Sequence, residues 1–237
     1  MAVELPGPVA DFLNFIGINW PNVNEDKVRE FGRHVAEFGQ SLQQTHQDAS
    51  GTVEALGEAY QGAAYEQLLA TWGAKADSHM AELITGCALV STAMDAGADV
   101  IVGMKVEAIG QLVVMAGEFL AAQAAAIETF GASEAIAALV EEEGQQLVSL
   151  LEQRLLQYVE GQIIEAAVGP LIDKVAQAVS GLVYQGVAGA LGVSAGGSVS
   201  MSPSAVLGHA QHLEGHAVTV GSHAQQFSAA AGGISFE

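Results

Sequence analysis

The chain has 237 residues, half of them hydrophobic, and 27 acidic against 7 basic side chains give it a formal net charge of −20. Its length and apolar content suffice for one large core or two small ones, while the charge works against nucleic acids and anionic lipid surfaces unless a cation mediates. One cysteine, Cys87, rules out an internal disulfide framework and a cysteine-rich zinc site, and abundant Ala with few aromatics and prolines favours helices over sheets.

Residues 1 to 20 are an apolar, proline-broken lead-in that ends in Trp20-Pro21. It has no basic n-region and meets Glu4 and two prolines early, so it does not read as a cleavable signal peptide. Pro21 biases Trp20 away from helix, and Phe12, Phe15, Ile16 and Trp20 are expected to pack on the hairpin formed by the two helices that follow. Asn24 is a suitable N-cap, with Glu25 and Asp26 in the first turn, where the helix dipole favours anions. From there to about Leu56 apolar or small residues fall at Val28, Phe31, Val35, Phe38, Leu42, Thr45, Ala49, Val53 and Leu56, in steps of three and four that make one helix face. At about 1.5 Å per residue this helix is roughly 50 Å long.

A tight turn follows at Ala59-Tyr60-Gln61-Gly62-Ala63-Ala64-Tyr65. Beyond it Tyr65, Leu69, Trp72, Ala76, Met80, Leu83, Cys87, Val90 and Met94 repeat the rhythm. Two stripes on so short a link bury each other by folding back antiparallel, and Gly62 supplies the backbone freedom for the reversal. Cys87 lies on the second stripe and reads as a small buried hydrophobe.

From about Asp95 to Phe130 apolar residues cover most of the helix circumference, which predicts a helix buried on several sides. Gly131 and Ser133 mark a stop and a new N-cap, a fourth helix runs towards Val168, and Pro170 opens a fifth that reaches about Leu191. The segment from Gly192 to Ser202 is a linker of small residues. After it, Pro203 starts a helix whose Val206, Leu213, Val220 and Phe227, alternating with Ala210, Ala217 and Ala224, form a heptad seam that ends at Gly232-Gly233. A lone amphipathic helix cannot bury its own face, so this seam needs the same domain, another chain or further sequence. The expected organisation is a helical-hairpin and bundle domain at 1–191, a Gly/Ser linker at 192–202 and an amphipathic helix at 203–237, in an all-α fold.

Three features bear on chemistry. His209, His212 and His216 share a helix face beside Glu214, but they lack an H-E-x-x-H frame and flank the seam as polar positions. Glu141, Glu142 and Glu143, with Glu152, Glu160 and Glu165 downstream, are spread around a helix as a solvated face. From Val175 to Gly208 no residue is formally charged, and Val175 to Val193 approaches the length of a membrane span, although Gln177, Ser180, Tyr184 and Gln185 make it a mediocre one. No catalytic, cofactor-binding or metal-ligating set emerges.

The bend at Tyr60-Gln61-Gly62 resembles that of the Trp-x-Gly (WXG) helical-hairpin proteins exported by type VII (ESX) secretion systems, with Tyr in place of the signature Trp. The lead-in NFIGINWPN, the charged helix, Trp72 after the bend and the Ala-rich helices together resemble the N-terminal domain of actinobacterial polymorphic toxins and of the mycobacterial outer-membrane channel protein with a necrosis-inducing toxin. The similarity extends over residues 10 to about 190, and the helix at 203–230 resembles the first helix of a second small hairpin protein. A Tyr-x-x-x-Asp/Glu export tail is missing from the sequence.

The resemblance implies a non-enzymatic targeting and interaction domain, made in the cytoplasm and exported by a type VII system to the cell surface or beyond. Its implied partners are a small helical-hairpin protein and the secretion machinery, with no nucleic acid. Tyr60 and Gly62 would shape the bend, Trp20 and Trp72 would anchor packing, and Val206, Leu213, Val220 and Phe227 would form a partner seam. The alternative is a membrane-inserting or pore-forming domain.

Overall fold

A computed structural model describes residues 3–125, 132–179 and 200–236. Residues 192–199 of the expected 192–202 linker, the proposed stop at Gly131 and most of the uncharged span at Val175–Val193 lie outside these residues. The fold is all-α. Its elements are α1 (Gly7–Phe15), α2 (Glu25–Ala59), a two-residue strand β1 (Tyr60–Gln61), α3 (Ala63–Thr71), α4 (Ser78–Ala125), α5 (Ala132–Tyr158), α6 (Gly169–Val179), β2 (Ser200–Met201) and α7 (Pro203–Gly232). π-helical turns at Trp72–Asp77 and Val159–Val168 join α3 to α4 and α5 to α6.

Both wide turns fall where buried residues repeat every fourth position. Leu68, Trp72, Ala76 and Met80 are buried in one run, and Leu151, Leu155, Val159 and Ile163 in the other. A stripe of period four drifts around an α-helix of about 3.6 residues per turn, and turns with i to i+5 bonding hold more residues and bring it back into line. The same phase makes Leu68 the buried residue after the bend, while Leu69 is 38% exposed. The second predicted helix comprises α3, the π-helical turn and the start of α4, and it runs into the third within α4 with no break near Asp95.

The chain divides into two compact units. One comprises residues 31–93 and 167–234. In it α2 and the start of α4 are the arms of the hairpin, and every residue of the first stripe from Phe31 to Leu56 is buried. The arms approach closely at Gly39, where an added Cβ would stand 2.8 Å from Cβ of Cys87. Cys87 is 1% exposed, and burial pushes its thiol pKa up to about 11.

The other unit comprises residues 1–30, 94–166 and 235–237. Pro6 and Pro8 stand at the start of α1, where the missing N–H groups have no intrahelical role, so the prolines initiate a helix rather than break the lead-in. Val9, Phe12, Leu13 and Ile16 of α1 and the turn after it pack with Leu112, Ala116 and Phe119 of α4 and with Val140 and Val148 of α5, so the lead-in buries its apolar side on these later helices and not on the hairpin as expected. Gly144 lets α5 come close, since a Cβ there would lie 3.2 Å from Phe12 and Ile16. The start of α2 is capped by Asn24, whose Oδ1 accepts from the N–H groups of Asp26 and Lys27 at 3.0 and 3.2 Å.

Beside that cap lies a buried ion pair. Lys105 is 4% and Glu25 0% exposed. The ammonium donates to Oε2 of Glu25 at 2.7 Å and to the carbonyl of Val23 at 2.5 Å, and the N–H of Val3 donates to Oε1 of Glu25. Burial alone would raise the Glu25 pKa, but the hydrogen bonds and charge of Lys105, with the backbone donors, hold it below its ordinary value of 4.5.

Candidate docking interface

The bend is built from four local devices. Gly62 has φ 140°, in a region where an L side chain is strained, so glycine is required. Its carbonyl accepts the first bonds of α3, from the N–H groups of Tyr65 and Glu66 at 3.0 and 3.3 Å. The Tyr65 hydroxyl donates back to the carbonyls of Val53 and Glu54 at 3.3 and 3.2 Å. Gly57 makes room for that ring, because a Cβ there would stand 2.5 Å from the phenol oxygen. The sequence singled out neither Tyr65's hydroxyl nor Gly57, and their spacing across the turn was the available signal.

Tyr60 and Gln61 pair antiparallel with Met201 and Ser200, and the N–H of Ser202 donates to the Ala59 carbonyl at 2.9 Å. This clip sets the start of α7 at the bend. Half-buried Tyr60, Tyr65, Val206 and Leu213 pack on a cluster of Ala49, Val53, Leu56, Leu68, Trp72 and Ala76. Trp72 is 4% exposed; its indole N–H donates to Oγ of Ser50 at 3.0 Å, and its ring lies 5.8 Å from and nearly parallel to that of His46. His46 in turn bonds Asp77 through Nε2 at 2.8 Å.

The seam of α7 continues along α2 in the antiparallel direction. Val220, Ala224 and Phe227 are buried, and Phe227 stacks on Phe38 at 4.9 Å and meets Phe31 at 6.1 Å. Two histidine–threonine contacts keep the register, His223 with Thr45 at 3.1 Å and His216 with Thr52 at 3.2 Å, each seven residues from the next on both helices. The Thr52 hydroxyl also lies within hydrogen-bond distance of the carbonyl of Asp48, at 3.0 Å. A cleft of about 230 Å³ opens near the far end, lined by His34, Glu37, Phe38, Ser41, His223 and Phe227 among others.

Of the residues expected to shape the interface, Tyr60, Gly62, Trp72, Val206, Leu213, Val220 and Phe227 thus gather in one unit. The seam is already occupied by the chain's own α2 and bend. Trp20 belongs to the other unit, half-buried against the Val9–Phe119 cluster, and its buried indole N–H has no partner among the described residues. His209 and His212 stand edge to face at 6.4 Å, and among the described residues no three His, Cys, Asp or Glu gather as a metal site.

The arrangement is a helical hairpin with a tight glycine bend that receives a third helix along its length. The sequence pattern of the WXG100-like domain matches residues 4–143, more than half of the chain. The chain belongs to the WXG100-like domain family. The matched span of this WXG100-like domain holds α1, both arms of the hairpin, the bend and the start of α5. The family is helical and associated with type VII secretion, and its domains generally pair with helical partners. No curated protein and no solved structure matches the chain.

Proposed function

We propose that the chain is a non-enzymatic type VII secretion targeting and interaction domain, the N-terminal module or adaptor of a secreted toxin, that works by helix–helix association with a small helical-hairpin protein. It is made in the cytoplasm and exported with that partner, which supplies the Tyr-x-x-x-Asp/Glu tail this sequence lacks. Residues 1–191 act as the targeting body, and 203–237, beyond the Gly/Ser-rich stretch 192–202, as an amphipathic helix that lies on its hairpin. The observation that carries the reading is α7 lying on the hairpin in heptad register. It supports a hairpin face suited to a further helix, whether its own or a partner's, with apolar side chains as anchors. Tyr60 and Gly62 set the bend, Trp72 stiffens it, and Trp20 fixes the lead-in. Co-expression with small hairpin proteins encoded beside it tests the reading: a stoichiometric complex is expected, and separate elution of chain and candidates would contradict it.

One observation favours a second reading, a membrane-inserting or channel domain. The helical run Tyr65–Ala124 contains a window of mean hydropathy 1.6 that is only 28% buried, long and apolar enough to cross a bilayer by length and composition. Against it, Lys105 is committed to a buried ion pair within that run, and Asp95, Asp99, Glu107 and Glu118 are charged groups in the same helix. Flotation with vesicles at neutral and acidic pH separates the readings, and lipid association with dye release would favour the second.

A further inference from the structure

α7 covers the hairpin with a looser fit than the hairpin arms make with each other. Every stripe residue of α2 from Phe31 to Leu56 is buried, whereas of the 30 residues of α7 only Val220, Ala224 and Phe227 are, all in its second half. Towards the bend Val206 and Leu213 are half-buried, and Leu207 and Val218 are exposed. Gly208, Gly215 and Gly221 interrupt the helix, and a Cβ built on any of them meets nothing within 4 Å. Glycine weakens a helix interior relative to alanine, and here no close packing offsets the loss. The described ion pairs all lie elsewhere, so none joins α7 to the hairpin. Beside the stack of Phe227 on Phe38 the two helices part around the cleft of about 230 Å³.

A helix packed in this way stays down because it belongs to the same chain. Tethering gives it an effective concentration on the order of millimolar, so a modest contact remains closed without a tight fit. A separate helix with a better fit can compete for the same place. The face beneath α7 states what that helix must offer. Thr45, 5% exposed, is a polar side chain in an otherwise apolar stripe, and Thr52 follows seven residues on. His223 and His216 meet these two hydroxyls, and burying them under a wholly apolar helix would forfeit both contacts. A competitor therefore carries hydrogen-bonding side chains seven residues apart beside an apolar seam, with an aromatic ring to meet Phe38.

We infer that α7 is a displaceable internal occupant of the docking face, which it covers until a helix of that chemistry in a partner protein takes its place. The inference rests on the docking role proposed for the hairpin and adds its regulation: the chain's own helix sets the threshold that a partner must exceed.

The probe that tests it is a fluorescent peptide of residues 200–234, titrated with the full chain and followed by anisotropy. Saturable binding is expected, and Phe227→Ala in the chain's own α7 should tighten it at least about tenfold by weakening the internal competitor. The same substitution placed in the peptide should weaken its binding to the wild-type chain. A second variant does not depend on the first one folding. Gly208→Ala, Gly215→Ala and Gly221→Ala together put methyls into open space and strengthen α7, and should weaken peptide binding at least about tenfold. The inference is overturned if the peptide binds neither the wild type nor Phe227→Ala, if it binds both with the same affinity, or if the triple variant takes it up as the wild type does. Failure of the partner reading looks different. A peptide that exchanges with α7 while the neighbouring hairpin proteins elute apart would sink that reading and keep the displaceable helix. A stoichiometric complex in which α7 exchanges hydrogen no faster than in the free chain would keep the reading and overturn the displacement.

Discussion

Two stretches of α4 have similar apolar content and opposite surroundings. Between Met80 and Val90 the helix is an arm of the hairpin, and Gly39 brings α2 so near that the missing Cβ is what permits the crossing. Between Gly103 and Leu120 the inner side is packed on α1 and α5, but on the outer side a Cβ built on Gly103, Gly110 or Gly117 meets no described atom within 4 Å and Val106, Val113 and Leu120 stay about half exposed. Amphipathicity alone does not distinguish the two, since both offer heptad-spaced small and aliphatic residues. The difference lies in whether the chain itself supplies the opposing helix: on the hairpin α7 closes the remaining face, and on the outer side of α4 nothing described does.

The largest expected effect is on the packed side of the second stretch. Lys105→Met leaves the Glu25 carboxylate buried without its cation and should cost about 3–5 kcal/mol, with much of the loss recovered in the double variant with Glu25→Gln, both read by denaturant unfolding. The pair also fixes a pH dependence. Because the folded pKa of Glu25 lies below its ordinary value of 4.5, its contribution is complete above that value and is lost as pH falls through the folded one. The melting difference between wild type and Glu25→Gln should therefore shrink only as pH drops below about 4.5; a difference that fades already near neutrality would mean the carboxylate is not held by Lys105.

Trp72→Ala, which empties the cluster beneath the bend and orphans Ser50, should cost about 3–5 kcal/mol and release α7 from the bend, seen as faster hydrogen exchange after Ser202. Gly39→Ala is smaller, about 1–3 kcal/mol of overpacking against Cys87 in thermal or denaturant unfolding. Smallest is Gly110→Ala, which should stabilise the single chain by up to about 1 kcal/mol because the new methyl meets open space.

Much of this was legible in the sequence. The first stripe, the Asn24 cap, the glycine bend and the burial of Cys87 follow from period and turn chemistry, which are local. The seam of α7 was legible as a seam, but its occupant was not, because the contacts of Phe227 with Phe38 and of His223 with Thr45 join residues far apart in sequence. Lys105 is a lone cation in a mostly apolar stretch, but its partner Glu25 is 80 residues away, so the pair was not legible. The π-helical turns were hidden in stripes of period four, where Leu68 rather than Leu69 turns inward. Helix α1 was masked by its prolines, although Val9, Phe12, Leu13 and Ile16 have helical spacing.

The contrast between the two stretches is tested most directly by the melting temperatures of Gly39→Ala and Gly110→Ala, compared at a protein concentration low enough to keep the chain monomeric. The same substitution in two long helices should lower the midpoint at Gly39 and raise it at Gly110. Shifts of the same sign at both positions would contradict the division of these helix faces into a filled one and an open one.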